Sequence, residues 1–417
     1  MSSVGFRGVI GVFQYRDYAR FTAGNSFSLI GLWMQRIGIG WLAWELTQSP
    51  TWLGIIAMAE LFPVIFLGPI GGALADRFDK TRNMIIFQSI AMVASLALCI
   101  FTVVGLINIW ILFAMTLIVG SASGLNQASR MALAPNLVPP TALTTAIAMN
   151  SMTFNTARFI GPAIAGVVIK LWGVEVAFGL NAFSYLTLIW ALILIKLPPQ
   201  TKEQKSRQRK SILSEIAEGV ATVASNRGTI TIMVIVLSSA LFIRPVTQLL
   251  PGVSAELFSA GVDGFAALTA SIGAGAIIGG YWMAQRGGSN NFSMALIGFL
   301  LAFCSCFAMV MMNNLFYALP FACSLGAGMV INGIGMQSTL QFSVPEHLRG
   351  RVLSLYGTTT VGGPAIGSLA MGMIAEKLGL QIPAASAAVF AMLIWLVVWP
   401  RRHDLTTALT SKSEAQN

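Results

Sequence analysis

Apolar stretches long enough to cross a membrane recur along this chain, separated by short polar loops. A spanning helix needs about 20 mostly apolar residues to cross about 30 Å of hydrocarbon. Segments of this kind lie at roughly 20–45, 51–75, 83–105, 109–134, 142–171, 174–196, 228–250, 264–285, 292–312, 315–341, 352–376 and 382–400. The pattern therefore predicts an all-α integral membrane protein with twelve spans. Arg7, Arg16, Asp17 and Arg20 precede the first apolar run and no small-residue cleavage site follows it, so no removable signal peptide is expected.

The loops orient the spans. Of 25 Lys and Arg residues, 19 fall on one side of the predicted membrane and only Lys170 and Lys377 on the other. Positive charge marks the cytoplasmic side, which puts both termini in the cytoplasm. The net charge of +10 is thereby explained by topology, and nucleic-acid binding is not expected. Composition agrees: 56% of residues are hydrophobic and 10% charged, against roughly 25% charged in soluble domains. The four cysteines lie within apolar segments without metal-ligand spacing, and no metal or cofactor is expected.

The longest polar stretch divides the chain into an N-terminal six-helix half (1–196), a cytoplasmic linker (197–227), a C-terminal six-helix half (228–400) and a cytoplasmic tail (401–417). Within the linker Ile212, Ile216, Val220 and Val223 are at helical spacing. This suits an amphipathic helix on the inner membrane face, or a solvated connector. The halves align weakly at an offset of about 206 to 208 residues. Arg36 then meets Arg244, Asn126 meets Asn332, Val138-Pro139 meets Val344-Pro345, and Gly161 and Gly166 meet Gly367 and Gly372. Two parallel six-helix halves around a midplane site is one way transporters are built, with alternating access by rocking of one half against the other.

Two motifs carry a resemblance. The loop GGALADRFDKTR at 71–82 resembles the loop signature of the major facilitator superfamily, matched by Gly72, Leu74, Asp76, Arg77, Lys80 and Arg82. Its glycine lets helices approach and its charges suit an inner gate. The segment ARFIGPAIAGVV at 157–168 resembles the superfamily's antiporter motif through Gly161, Pro162 and Gly166, with Ala165 in place of one glycine. Further stretches at 33–50, 136–162 and 344–356 are similar to the bacterial enterobactin-exporter and drug:proton antiporter subgroup. The resemblance implies a proton-coupled exporter of a siderophore or drug-like molecule in the bacterial inner membrane, acting as a monomer; uptake of a small metabolite or flipping of a lysolipid by the same fold is the alternative. Leu32 replaces the polar or acidic residue many relatives carry, and the loop at 284–290 lacks an acid equivalent to Asp76.

Charged residues at membrane depth cost at least about 2.5 to 3.5 kcal/mol and need a reason to be there. Arg36, Arg158 and Arg244 lie about 16 residues into their predicted helices, and Glu60 sits at a similar level on a helix running the other way. Three arginines against one carboxylate favour an anionic or amphipathic substrate, with Glu60 pairing one arginine and exchanging a proton. A structural ion pair with the remaining arginines reaching for the interface is the alternative. Polar stripes on the first and fifth helices, Asn25, Ser28 and Gln35, and Ser151, Asn155 and Arg158, read as cavity walls. The resembled fold adds Asn126, Gln127, Gln248, Asn332 and Gln337, and puts Arg130 near the cytoplasmic gate. No G-x-x-x-x-G-K-[ST] occurs, so direct ATP use is not expected. Clustered catalytic side chains are also missing at the predicted membrane faces, so an enzyme is not expected.

Overall fold

A computed structural model describes residues 11–195, 218, 220–285, 291–344 and 346–407. They are helical almost throughout, with no strand among the described residues. The long helices are α1 (Arg16–Thr47), α2 (Pro50–Arg77), α3 (Lys80–Val103), α4 (Ile109–Asn136), α5 (Leu143–Trp172) and α6 (Val174–Leu194). They continue with α7 (Arg227–Gln248), α8 (Gly261–Gln285), α9 (Asn291–Met311), α10 (Leu315–Ser343), α11 (Glu346–Leu378) and α12 (Gln381–Val398). Each falls on one of the segments expected from hydropathy. Ten are long and apolar enough to cross a membrane by length and composition. The other two, α1 and α11, are the longest at 32 and 33 residues, and both are interrupted by charged and polar positions.

Local signals explain where the helices begin and end. Side chains of Asp79, Asn226 and Asn314 accept hydrogen bonds from backbone N–H groups in the first turns of α3, α7 and α10, at 2.8, 2.7 and 2.8 Å. Gly173, at φ +90°, turns the chain between α5 and α6 in a conformation that L side chains rarely adopt. Large apolar side chains point outward, among them Val93, Phe183, Trp190, Phe390 and Leu393. Polar ones are drawn inward, as a hydrocarbon solvent requires.

The helices form two compact units. One holds Met1–Leu46 and Phe62–Gln208; the other holds Thr47–Leu61 and Arg209–Asn417. In the first, α3 packs on both α4 and α6. In the second, α9 and α8 both pack on α10, and α12 packs on α9. The beginning of α2 belongs to this second unit. Glu376 of α11 accepts hydrogen bonds from Ser49 Oγ at 2.6 Å and the Thr51 N–H at 3.2 Å, so a carboxylate satisfies the start of α2.

Most of the expected linker, the loop 286–290 and the tail beyond 407 lie outside the described residues. The linker's last turn is docked on the second unit. Glu218 pairs with Arg351 at the start of α11, and Val223 is buried while Val220 is exposed. Thr229 Oγ1 donates to the Val223 carbonyl at 2.7 Å, tying this turn to α7.

Candidate substrate site

The contact between α1 and α5 is set by Gly161. A Cβ there would lie 2.5 Å from Trp33 Cβ and 2.9 Å from the Ile30 carbonyl oxygen, so only glycine permits this approach. Ala157 and Ala165, one turn either side, are fully buried. Pro162 has no N–H to offer the carbonyl four residues back, which is that of Arg158. The motif thus thins one face of α5 and loosens the backbone at the arginine beside it.

This close approach brings Arg36 and Arg158 onto one indole. The guanidinium carbon of Arg36 lies 4.5 Å from the Trp33 ring centroid and that of Arg158 lies 5.5 Å away. Both are within the roughly 6 Å over which a ring face attracts a cation, a contact worth about 0.5 to 2 kcal/mol depending on desolvation. Phe154, one turn before Arg158, meets Trp33 edge-on, with centroids 5.9 Å apart at 72°. Trp33, Arg36 and Arg158 are half-buried and Phe154 is 43% exposed. The hydropathy pattern gave no signal for Trp33 or Phe154; the shared depth of the two arginines was the available clue.

Arg244 has a different setting. A π-helical turn, Ser239–Ile243, precedes it in α7, and Pro245 follows it. Its Nη1 donates to the Thr360 carbonyl of α11 at 3.3 Å, one turn after Tyr356 on the same helix. The Tyr356 hydroxyl donates in turn to the Gly333 carbonyl of α10 at 3.0 Å. Glu60 is half-buried on α2.

Several residues expected to line a cavity are engaged elsewhere. Asn25, Ser28 and Gln35 are each 1% exposed, and the stripe on α1 faces α3 and α6. Gln88 of α3 donates to Ser28 Oγ at 2.8 Å, and its Oε1 accepts from Asn126 at 3.1 Å and from Arg130 at 3.3 Å. Asn181 of α6 donates to Gln35 Oε1 at 2.6 Å. Arg130, expected at the gate, therefore belongs to this seam. Asn332 repeats the arrangement in the second unit, donating to the Ala295 carbonyl of α9 at 3.1 Å. Helical spacing tells which polar residues share a face; it does not tell which neighbour that face meets. Gln127 and Gln337 are exposed and Gln248 is half-buried, while the side chain of Asn155 lies outside the described residues.

In the 71–82 loop, the close approach is made by Gly71, where a Cβ would run into the Leu125 carbonyl; Gly72 has open space around it. Asn83 Nδ2 donates to the Leu74 carbonyl at 2.9 Å and fastens the end of α2 to α3. Arg77 and Arg82 are exposed and Lys80 is half-buried; the Asp76 side chain lies outside the described residues. Pro162 and Gly166 are buried.

Long apolar helices with outward aromatic side chains and an inward polar seam define a polytopic helical membrane protein. Residues 13–415 match the family described as transmembrane secretion effector, and the chain belongs to that family within the major facilitator superfamily. It is 29% identical to the Staphyloferrin A transporter of Staphylococcus aureus (strain NCTC 8325 / PS 47) over 45% of this chain and 46% of that one. It is 25% identical to the Enterobactin exporter EntS of Shigella boydii serotype 4 (strain Sb227) over 90% of this chain and 88% of that one. A crystal structure of the peptide transporter POT in complex with sulfate shares the fold, with TM-score 0.73 and 14% identity, covering 94% and 95% of the two chains.

Proposed function

We propose that this protein exports a small anionic or amphipathic organic molecule, siderophore or drug-like, from the cytoplasm across the bacterial inner membrane in exchange for protons. The observation that carries this reading is the convergence of Arg36 and Arg158 on Trp33. Two guanidinium groups at membrane depth are costly unless they serve a polar path or an anion. The named activities of the two relatives, a siderophore transporter and a siderophore exporter, support the substrate class, and the antiporter motif at Gly161 supports the direction.

The chain acts as a monomer, with both termini cytoplasmic and two parallel halves, 1–196 and 228–400, alternating access to a central site. Glu60 exchanges the coupling proton and pairs with an arginine when ionised. Asp76, Arg77, Lys80 and Arg82, with Gly72, form the cytoplasmic gate, and Gly161, Pro162 and Gly166 form the pivot. Arg244 and Gln248 contribute the second half's side of the path. A proton crossing 100 mV of membrane potential supplies about 2.3 kcal/mol, enough for a useful gradient.

Everted inner-membrane vesicles test direction and coupling together. An acid-inside gradient should drive anionic substrate into vesicles carrying the protein, and Glu60→Gln should abolish this while leaving substrate binding. Uptake by right-side-out vesicles instead would overturn export, and undiminished gradient-driven flux in Glu60→Gln would remove Glu60 from the coupling.

A further inference from the structure

A polar atom buried inside a helical bundle needs a hydrogen-bond partner, from the protein or from an enclosed water. The seam of the first unit leaves three such atoms over. Asn25 Oδ1, Asn126 Oδ1 and Ser129 Oγ are buried and make no hydrogen bond among the described residues. Their residues are 1, 5 and 0% exposed, so bulk solvent does not reach them. One network joins the three. Asn25 is one turn from Ser28 on α1, Gln88 of α3 bonds both Ser28 and Asn126, and Ser129 is one turn from Asn126 on α4. The orientation of the Asn126 amide is fixed, because Gln88 Oε1 also accepts from Arg130 and so must be met by Asn126 Nδ2. Its oxygen is left facing the seam.

Apolar layers flank this polar one on both sides. Four residues from Asn25, Gln88 and Ser129 stand Phe21, Met84 and Leu133, members of one buried cluster. In the other direction Ala91 is three residues from Gln88 and Ala122 four from Asn126, and both pack with Tyr185 in a second cluster. Between these layers Ser28 and Ser129 are small side chains, so a guest here is small. Its chemistry is set by the three atoms: two amide oxygens can only accept, and the hydroxyl can donate. An anion would face two carbonyl oxygens. A metal cation would sit in the layer where Gln88 already holds the Arg130 guanidinium, with no carboxylate among the described residues of that layer. Water offers two O–H donors and a lone pair, which matches the set, and three hydrogen bonds are usual for a buried water.

We propose that Asn25, Asn126 and Ser129 bind one enclosed water molecule, which donates to both amide oxygens and accepts from the Ser129 hydroxyl. Gln88 links α1 to α4 through its own amide, and the water makes a second link between the same two helices. It thereby steadies the amide that holds Arg130. The site goes beyond the export reading and stands without it.

The test uses the full chain in nanodiscs. Electron cryomicroscopy at a resolution that shows ordered waters should place one peak within hydrogen-bond distance, about 2.6 to 3.2 Å, of all three atoms. Ordered waters elsewhere in the bundle and none here would overturn the proposal. A double-mutant cycle reads the same site independently. Asn25→Ala and Ser129→Ala should each lower the melting temperature by at least about 1 °C, and the double variant should fall no further than the worse single, because either change releases the same water. Fully additive losses would overturn the shared water. Asn25→Thr stands in if Asn25→Ala does not fold. Melting of the parent should be equal in sodium chloride and choline chloride; stabilisation by sodium alone would reassign the three oxygens to a cation and overturn the water.

Discussion

Arg36 and Arg244 occupy matching places in the two halves, 208 residues apart, yet they meet different surroundings. Arg36 shares an indole with Arg158, in a helix that runs unbroken through it. Arg244 is tied to the Thr360 carbonyl, just after a π-helical turn. A backbone carbonyl fixes one N–H direction, whereas a ring face attracts the guanidinium as a whole. A repeat can thus keep a residue and change what it touches: in the proposed function both arginines lie on the path, but Arg36 meets an indole, while Arg244 also ties α7 to α11.

The largest expected effect lies on the recognition side. Arg36→Gln or Arg158→Gln should raise the substrate KM at least about tenfold, equivalent to about 1.4 kcal/mol, with thermal stability in detergent little changed. Arg244→Gln should show the reverse: a clear loss of thermal stability and of maximal rate, with KM within about threefold of the parent. A matched KM rise in both variants would erase the distinction.

Next is the crossing that creates the site. Gly161→Val places a branched side chain against Trp33 and Ile30 and should cost about 1 to 3 kcal/mol of stability together with most of the transport rate. The same change at Gly72, which has open space around it, should leave stability near the parent. Flux and melting temperature measured on both variants separate a tight crossing from a glycine of α2 with open space around it.

The smallest effects belong to the seam. Gln88→Leu removes bonds to Ser28, Asn126 and Arg130 at once and should destabilise by about 1 to 3 kcal/mol. Asn332→Leu removes one and should cost about 0.6 kcal/mol, the average for such bonds between membrane helices. Neither should move KM, because both residues belong to the seam.

Much of the fold was legible in the sequence because the solvent is hydrocarbon, and length with apolarity decides a spanning helix more firmly than periodicity decides a soluble one. The matching of Asn126 with Asn332 was legible as a repeat, but its use was not. A polar residue on a membrane helix can face a cavity or a neighbouring helix, and only the packing of α3 and α9 distinguishes them. Arg36 and Arg158 were legible as a pair at one depth. Trp33 and Phe154 were not, since aromatic residues are ordinary in apolar helices and the rings became visible only when Gly161 brought α1 and α5 together.

In the proposed function Arg36 and Arg158 recognise an anion that the protein sends out of the cell. Comparative metabolite profiling of the medium tests it most directly, using cells that carry the gene, lack it, or carry Arg36→Gln at equal protein level. An organic anion should fall in the medium of cells lacking the gene and fall as far in the Arg36→Gln cells. Loss of only neutral or cationic compounds, or full export by Arg36→Gln, would contradict it.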